Sequence, residues 1–112
     1  MKTETWMINE VTVLEPHGRL MGGQGTEDLD QKLSALLGKG TKSVVLDLSN
    51  TDWINSAGLG VLIHHWKAFR DAGAELRLAN LTRKALDVLV ISRLASLFRC
   101  YETTDEAVAS FV

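Results

Sequence analysis

The sequence predicts an α/β domain with a mostly parallel sheet, and two observations carry that expectation. Short β-rich stretches alternate with segments whose apolar residues recur at helical spacing. Among the former, Ser43-Val44-Val45-Leu46-Asp47-Leu48 is almost continuously apolar, as a strand covered on both faces must be. The resulting order, β-β-α-β-α-β-α-β-α, calls for parallel strands joined by right-handed crossovers. A length of 112 residues suits one domain and leaves little room for a second core.

Each element follows from local chemistry. Thr5 to Ile8 and Val11 to Leu14 are β-rich and separated by Asn9-Glu10, a pair suited to a tight hairpin. Pro16, the only proline, limits the ladder, and Gly18, Gly22, Gly23 and Gly25 mark a loop. Thr26 is the expected N-cap of a first helix, with Glu27 and Asp28 in its positive first turn, Leu29, Leu33, Leu36 and Leu37 on one face, and Gly38 at its end. The central strand from Ser43 to Leu48 leads through a loop, Ser49 to Asn55, into a second helix striped with Leu59, Leu62, Ile63, Trp66 and Phe69 and closed by Gly73. Glu75 to Ala79 reads as a strand, Thr82 caps a helix running to about Val90, and Leu97 to Tyr101 reads as a last strand. Thr103 and Glu106, at capping-box spacing, open a final helix that turns Ala107, Val108 and Phe111 inward.

Composition excludes several classes of function. Hydrophobic residues make up 46% and charged residues 23%, and no segment is apolar for long enough to span a bilayer, so membrane insertion is not expected. Twelve Lys and Arg against fourteen Asp and Glu give a net charge of -2, and Arg70, Arg77, Arg83, Lys84, Arg93 and Arg99 are scattered along the chain. Direct nucleic-acid binding is therefore not expected. The single cysteine, Cys100, forbids an internal disulfide and a multi-cysteine zinc site. With a polar Met1-Lys2-Thr3-Glu4-Thr5 start that lacks a signal-peptide core, it points to the cytoplasm.

Ligands and partners of open α/β sheets meet the carboxyl ends of strands and the helix N-termini that follow them. That rule singles out Trp53-Ile54-Asn55-Ser56-Ala57-Gly58-Leu59-Gly60, where a hydroxyl sits at the mouth of the second helix and two glycines allow close backbone approach. The plainer reading is that Ser56 only caps the helix. Enzymatic readings find little support. A hydrolase elbow needs glycine where Ile54 stands. His64 and His65 follow Ser56 at a helical distance on the order of 12 to 14 Å, too far to act as its base. As adjacent residues they diverge by about 100° and make a poor chelate, so packing or solvent roles fit them better. His17 has no evident partner. Gly23-Gln24-Gly25 lacks the last glycine of a dinucleotide fingerprint, no Walker-type run exists, and Asp47 and Asp52 give no support for paired acid/base chemistry. No cofactor and no metal site are expected. Trp6, Trp53 and Trp66 are assigned to the core.

Val44-Val45-Leu46-Asp47-Leu48-Ser49 followed by Ile54-Asn55-Ser56-Ala57-Gly58-Leu59-Gly60-Val61-Leu62 resembles the signature of STAS domains, specifically bacterial anti-sigma factor antagonists. The likeness continues through Gly18-Arg19-Leu20, Ala74 to Asn80 and Asp105-Glu106-Ala107, so residues 1–112 read as a single STAS domain. The resemblance implies a mixed, mostly parallel sheet with about four helices packed largely on one side. It also implies a switch rather than an enzyme. Such proteins bind an anti-sigma factor that is often a serine kinase. Phosphorylation of a hydroxyl at the mouth of the second helix ends binding, and a serine phosphatase restores it. Here that hydroxyl is Ser56, and the implied partner surface is Asn55, Ser56, Ala57, Gly58, Leu59 and Gly60. Asn55 stands where the family often has aspartate, Ala57 where it has a second serine or threonine, and Met21 where many members carry an aspartate. Two other readings stay open: a STAS interaction subunit of a signalling or transporter assembly that is not phosphorylated, and a small-ligand or nucleotide-binding module. A homo-oligomer is compatible with each.

Overall fold

The computed structural model describes residues 3–93 and 96–111. Strands β1 (Thr3–Ile8) and β2 (Val11–Pro16) form the expected antiparallel hairpin, and Asn9 and Glu10 take the positive φ angles, 49° and 69°, that let a two-residue turn follow the twist of the strands. The other pairings are parallel. β4 (Ser43–Asp47) lies between β2 and β6 (Glu75–Ala79), and β7 (Cys100–Tyr101) closes a sheet of order β1-β2-β4-β6-β7. Helices α1 (Gln24–Gly38), α2 (Ser56–Asp71), α3 (Arg83–Ile91) and α4 (Thr104–Ala109) complete the fold. None is long and apolar enough to cross a membrane.

The near-continuous apolar run of β4 serves two cores. Val44 and Leu46 join Leu14, Leu76 and Leu78 beneath α1, α2 and α3, where Leu29, Leu33, Leu62, Phe69 and Leu89 are buried. Val45 points the other way, toward Val11, Val13, Ala79, and Ala107 and Val108 of α4. Three helices therefore share one face and α4 alone lies on the other. A row of alternating side chains cannot serve two such layers unless both sets are apolar. Arg77 enters this second layer from β6. It pairs with Glu75, donates 2.6 Å to Ser110 Oγ, and stacks its guanidinium over Phe111.

Several local expectations are corrected. Thr26 does not cap α1. The helix begins three residues earlier, with Gly23 at the cap position, and the buried Thr26 hydroxyl accepts a 2.9 Å bond from the Gly22 N–H. The expected loops Gly18–Gly25 and Ser49–Asn55 each contain a strand, β3 (Gly18–Leu20) and β5 (Thr51–Ile54), which pair in parallel as a separate two-stranded ribbon. The last strand is confined to Cys100–Tyr101 rather than running from Leu97. Trp53 is 40% exposed, so it is not a core residue, whereas Trp6 and Trp66 are half-buried against the two cores. Arg70, Arg77 and Arg99 are not scattered in space, since all three line one depression with Trp66, and Arg70 stacks on that indole.

Candidate functional site

The β3–β5 ribbon matters because it carries the mouth of α2. β3 continues from the end of β2, and β5 leads from β4 into α2. Leu20 and Ile54, the last residues of the two short strands, are buried side by side beneath the first turn of the helix. Asn55 fastens that turn. Its backbone N–H donates to the Leu20 carbonyl at 3.0 Å, and its side-chain amide donates to the Met21 carbonyl at 3.1 Å. Its Oδ1 accepts from the N–H groups of Ala57 at 3.0 Å and Gly58 at 3.2 Å. Asn55, not Ser56, is thus the N-cap, and one side chain both satisfies open helical donors and ties the helix to the preceding loop.

Ser56 is released from capping and becomes the first helical residue, exposed to solvent. The six residues of the expected partner surface divide between two directions. Gly58 is buried, and a Cβ there would run into the Leu20 carbonyl oxygen and come within 2.8 Å of Leu20 Cβ and 3.0 Å of Ile54 Cγ2. Only a glycine lets the helix backbone lie this close to β3. Leu59 is half-buried against the main core. Ser56, Ala57 and Gly60 face outward, and a Cβ at Gly60 would meet nothing within 4 Å. Asn55 sits between the two sets.

The outward residues do not stand alone. The turn at Met21, Gly22 and Gly23 lies beside Ala57, with a Cβ at Gly22 falling 3.5 Å from Ala57 Cβ, and Met21 is 45% exposed. Met21 and Trp53 then line a cleft of about 240 Å³ with Arg19, Asp52 and Lys84. The cleft thus sets an exposed tryptophan and methionine inside a charged rim. Trp53 lay within the segment that the sequence singled out but was assigned to the core, and Met21 was marked only as a departure from the family pattern. Lys84 had no signal in the sequence, because it comes from the start of α3 and reaches the cleft only through the tertiary fold.

Residues considered for other chemistry have structural partners. The Asp47 carboxylate accepts from the Ser49 N–H and the Asn80 amide, while Asp52 is exposed and lies 4.0 Å from Arg19. His65 is buried between α1 and α2 with Nε2 2.5 Å from Asp30, and His64 faces solvent. The glycine-rich segment is strand, turn and the start of α1, with the Gly18 N–H donating to the Asn50 carbonyl.

Residues 4–107 match the STAS domain family model, and the chain belongs to that family. It is 35% identical over 92 residues to BtrV of Bordetella bronchiseptica, named as a candidate anti-sigma factor antagonist, covering 82% of this chain and 79% of that protein. Among solved structures, a candidate anti-sigma factor antagonist of Thermotoga maritima superposes with a TM-score of 0.83 at 24% identity, over 96% of this chain and 92% of that one. Bacillus SpoIIAA in its phosphorylated form superposes with a TM-score of 0.77 at 18% identity, over 98% and 99%. These two likenesses bear on the fold.

Proposed function

We propose that this protein is a cytoplasmic anti-sigma factor antagonist that works as a partner switch and has no catalytic activity of its own. Unphosphorylated, it binds an anti-sigma factor with serine kinase activity through the outward side of the α2 mouth. Phosphorylation of Ser56 ends that binding, and a serine phosphatase restores it. One observation carries the reading: Asn55 holds every capping bond of α2, so the Ser56 hydroxyl is exposed and free for modification at no cost to the helix. The names of BtrV and the Thermotoga protein support the class, and SpoIIAA, solved in a phosphorylated form, supports the kind of switch.

The electrostatics suit such a switch. A phosphate brings about -1.5 to -2 charges. At Ser56 it would lie at the positive end of a sixteen-residue helix whose first turn holds no acidic side chain, so the fold can accept it. A partner packed over Met21, Ala57 and Gly60 would instead have to bury that charge, which is costly without a matching cation.

Recovery of the chain with its bound protein from its own cell, followed by phosphosite mapping, tests the reading. The expected result is a single modified position, Ser56, absent from material that retains the partner, and a Ser56→Ala variant that binds the partner constitutively. A phosphorylated Ser56→Ala variant, or wild-type chain still bound when fully modified at Ser56, would contradict it.

A further inference from the structure

His17, for which the sequence offered no partner, acquires two from strand register. The β1–β2 pairing sets Glu4 directly opposite Glu15, an arrangement of like charges that weakens a hairpin unless something offsets it. Both side chains project from the sheet face that carries the Trp6–Val13 pair, and His17, two residues beyond Glu15, closes over them. Its Nε2 lies 2.9 Å from Glu15 Oε2 and 3.6 Å from Glu4 Oε2. One ligand-capable atom from each of the three residues falls within 4.8 Å of the others. Although the ring is 40% exposed, Nε2 itself is shut off from solvent and makes no aligned hydrogen bond, even to the carboxylate 2.9 Å away. Asn50 Nδ2 donates at 2.5 Å to the same Glu15 Oε2 that faces the imidazole.

A protonated imidazole neutralising these carboxylates would aim an N–H along one of the short vectors. A buried nitrogen that faces two carboxylates without hydrogen-bond alignment is left free to direct its lone pair at a cation shared with them. We propose that Glu4, Glu15 and His17 form a binding site for a divalent transition-metal ion of the Zn²⁺ class, with one nitrogen and two carboxylate ligands and solvent completing the shell. Three protein ligands of this mixture suit Zn²⁺, whereas Mg²⁺ and Ca²⁺ favour all-oxygen shells. Two negative charges match the ion's charge, half-exposed Glu4 leaves an entry path, and Asn50 supplies the outer hydrogen bond that orients a ligand. The ion would join β1 to the end of β2 and to the residue that links β2 to β3, the strand on which the first turn of α2 rests. The proposal is independent of the role assigned to Ser56.

Calorimetric titration of the chelator-treated full chain with Zn²⁺, and separately with Mg²⁺, tests it. The expected result is saturable binding of one Zn²⁺ per chain and none of Mg²⁺. His17→Ala and Glu4→Gln should each weaken Zn²⁺ binding by about tenfold or more, Asn50→Ala should weaken it by up to about tenfold, and His64→Ala should leave it unchanged. Zn²⁺ should also raise the melting temperature of the wild type and not that of His17→Ala. Absence of saturable binding, wild-type affinity in Glu4→Gln, or loss of binding in His64→Ala overturns the proposal. Should His17→Ala fail to fold by circular dichroism, Glu4→Gln, altered at a half-exposed residue, decides the matter alone.

Discussion

The two sides of the first turn of α2 differ more than their sequence suggests. On the inner side, Gly58 lies against Leu20 and Ile54 with no room for a methyl group, and Asn55 spends its side chain on the Met21 carbonyl and two helical N–H groups. On the outer side, Ser56, Ala57 and Gly60 are exposed, and space stands open above Gly60. Two glycines two residues apart therefore do opposite jobs, one admitting a strand and the other leaving a surface bare. A motif compact in sequence is divided in space into a part that holds the fold and a part that can be changed without disturbing it. That division is what a covalent switch requires.

Substitutions can break or sharpen this contrast. Gly58→Val should have the largest effect, a loss of about 3 kcal/mol or more, because its side chain meets a backbone carbonyl that cannot swing aside. Urea denaturation measures it, and a wild-type midpoint would mean that β3 does not lie where the fold places it. Trp53→Ala should act chiefly on association, weakening partner affinity by about 2 kcal/mol if the exposed indole is an interface anchor. Calorimetry with the purified partner reads this value, and an affinity within twofold of wild type would remove Trp53 from the surface.

Smaller effects refine the inner side. Asn55→Ala should cost about 1 to 2 kcal/mol through loss of the cap and of the bond to Met21. Asn55→Asp should cost less, about 1 kcal/mol or under, since a carboxylate still caps and favours the helix N-terminus but cannot donate to that carbonyl. Equal losses in the two variants would show that the Met21 bond, rather than the cap, matters. Gly60→Ala should be the mildest and of opposite sign, a gain of about 0.5 to 1 kcal/mol from helix propensity at an open position. The added methyl should at the same time weaken the partner. Destabilisation instead would place Gly60 with Gly58 on the inner side.

Much of this architecture was legible from pattern alone. The helices announced themselves through Leu29, Leu33 and Leu37 and through Leu59, Leu62, Trp66 and Phe69, and β4 through its unbroken apolar run, because each buries a face whose period is written locally. The ribbon was not legible. Gly18–Leu20 and Thr51–Ile54 are too short to show a period, and they become strands only by pairing across more than thirty residues of chain. The same limit explains Thr26 and Ser56, two hydroxyl residues at plausible cap positions, since Gly23 and Asn55 take the caps once the loop closes. It also explains His17, whose neighbours depend on the register of β1 against β2. The motif located the mouth of α2 correctly, but which of its residues face outward is decided by Leu20, far away in sequence.

The central claim is that a phosphate on Ser56 acts on the outer surface and leaves the fold alone. It is tested most directly by incorporating phosphoserine at position 56 and measuring, on the same preparation, the melting temperature and the affinity for the purified anti-sigma partner. The account predicts a melting temperature within about 4 °C of the unmodified chain, equivalent to under about 1 kcal/mol, together with a loss of partner affinity of at least about a hundredfold, or roughly 2.7 kcal/mol. Undiminished affinity, or a loss of affinity that simply follows unfolding of the modified chain, would contradict it.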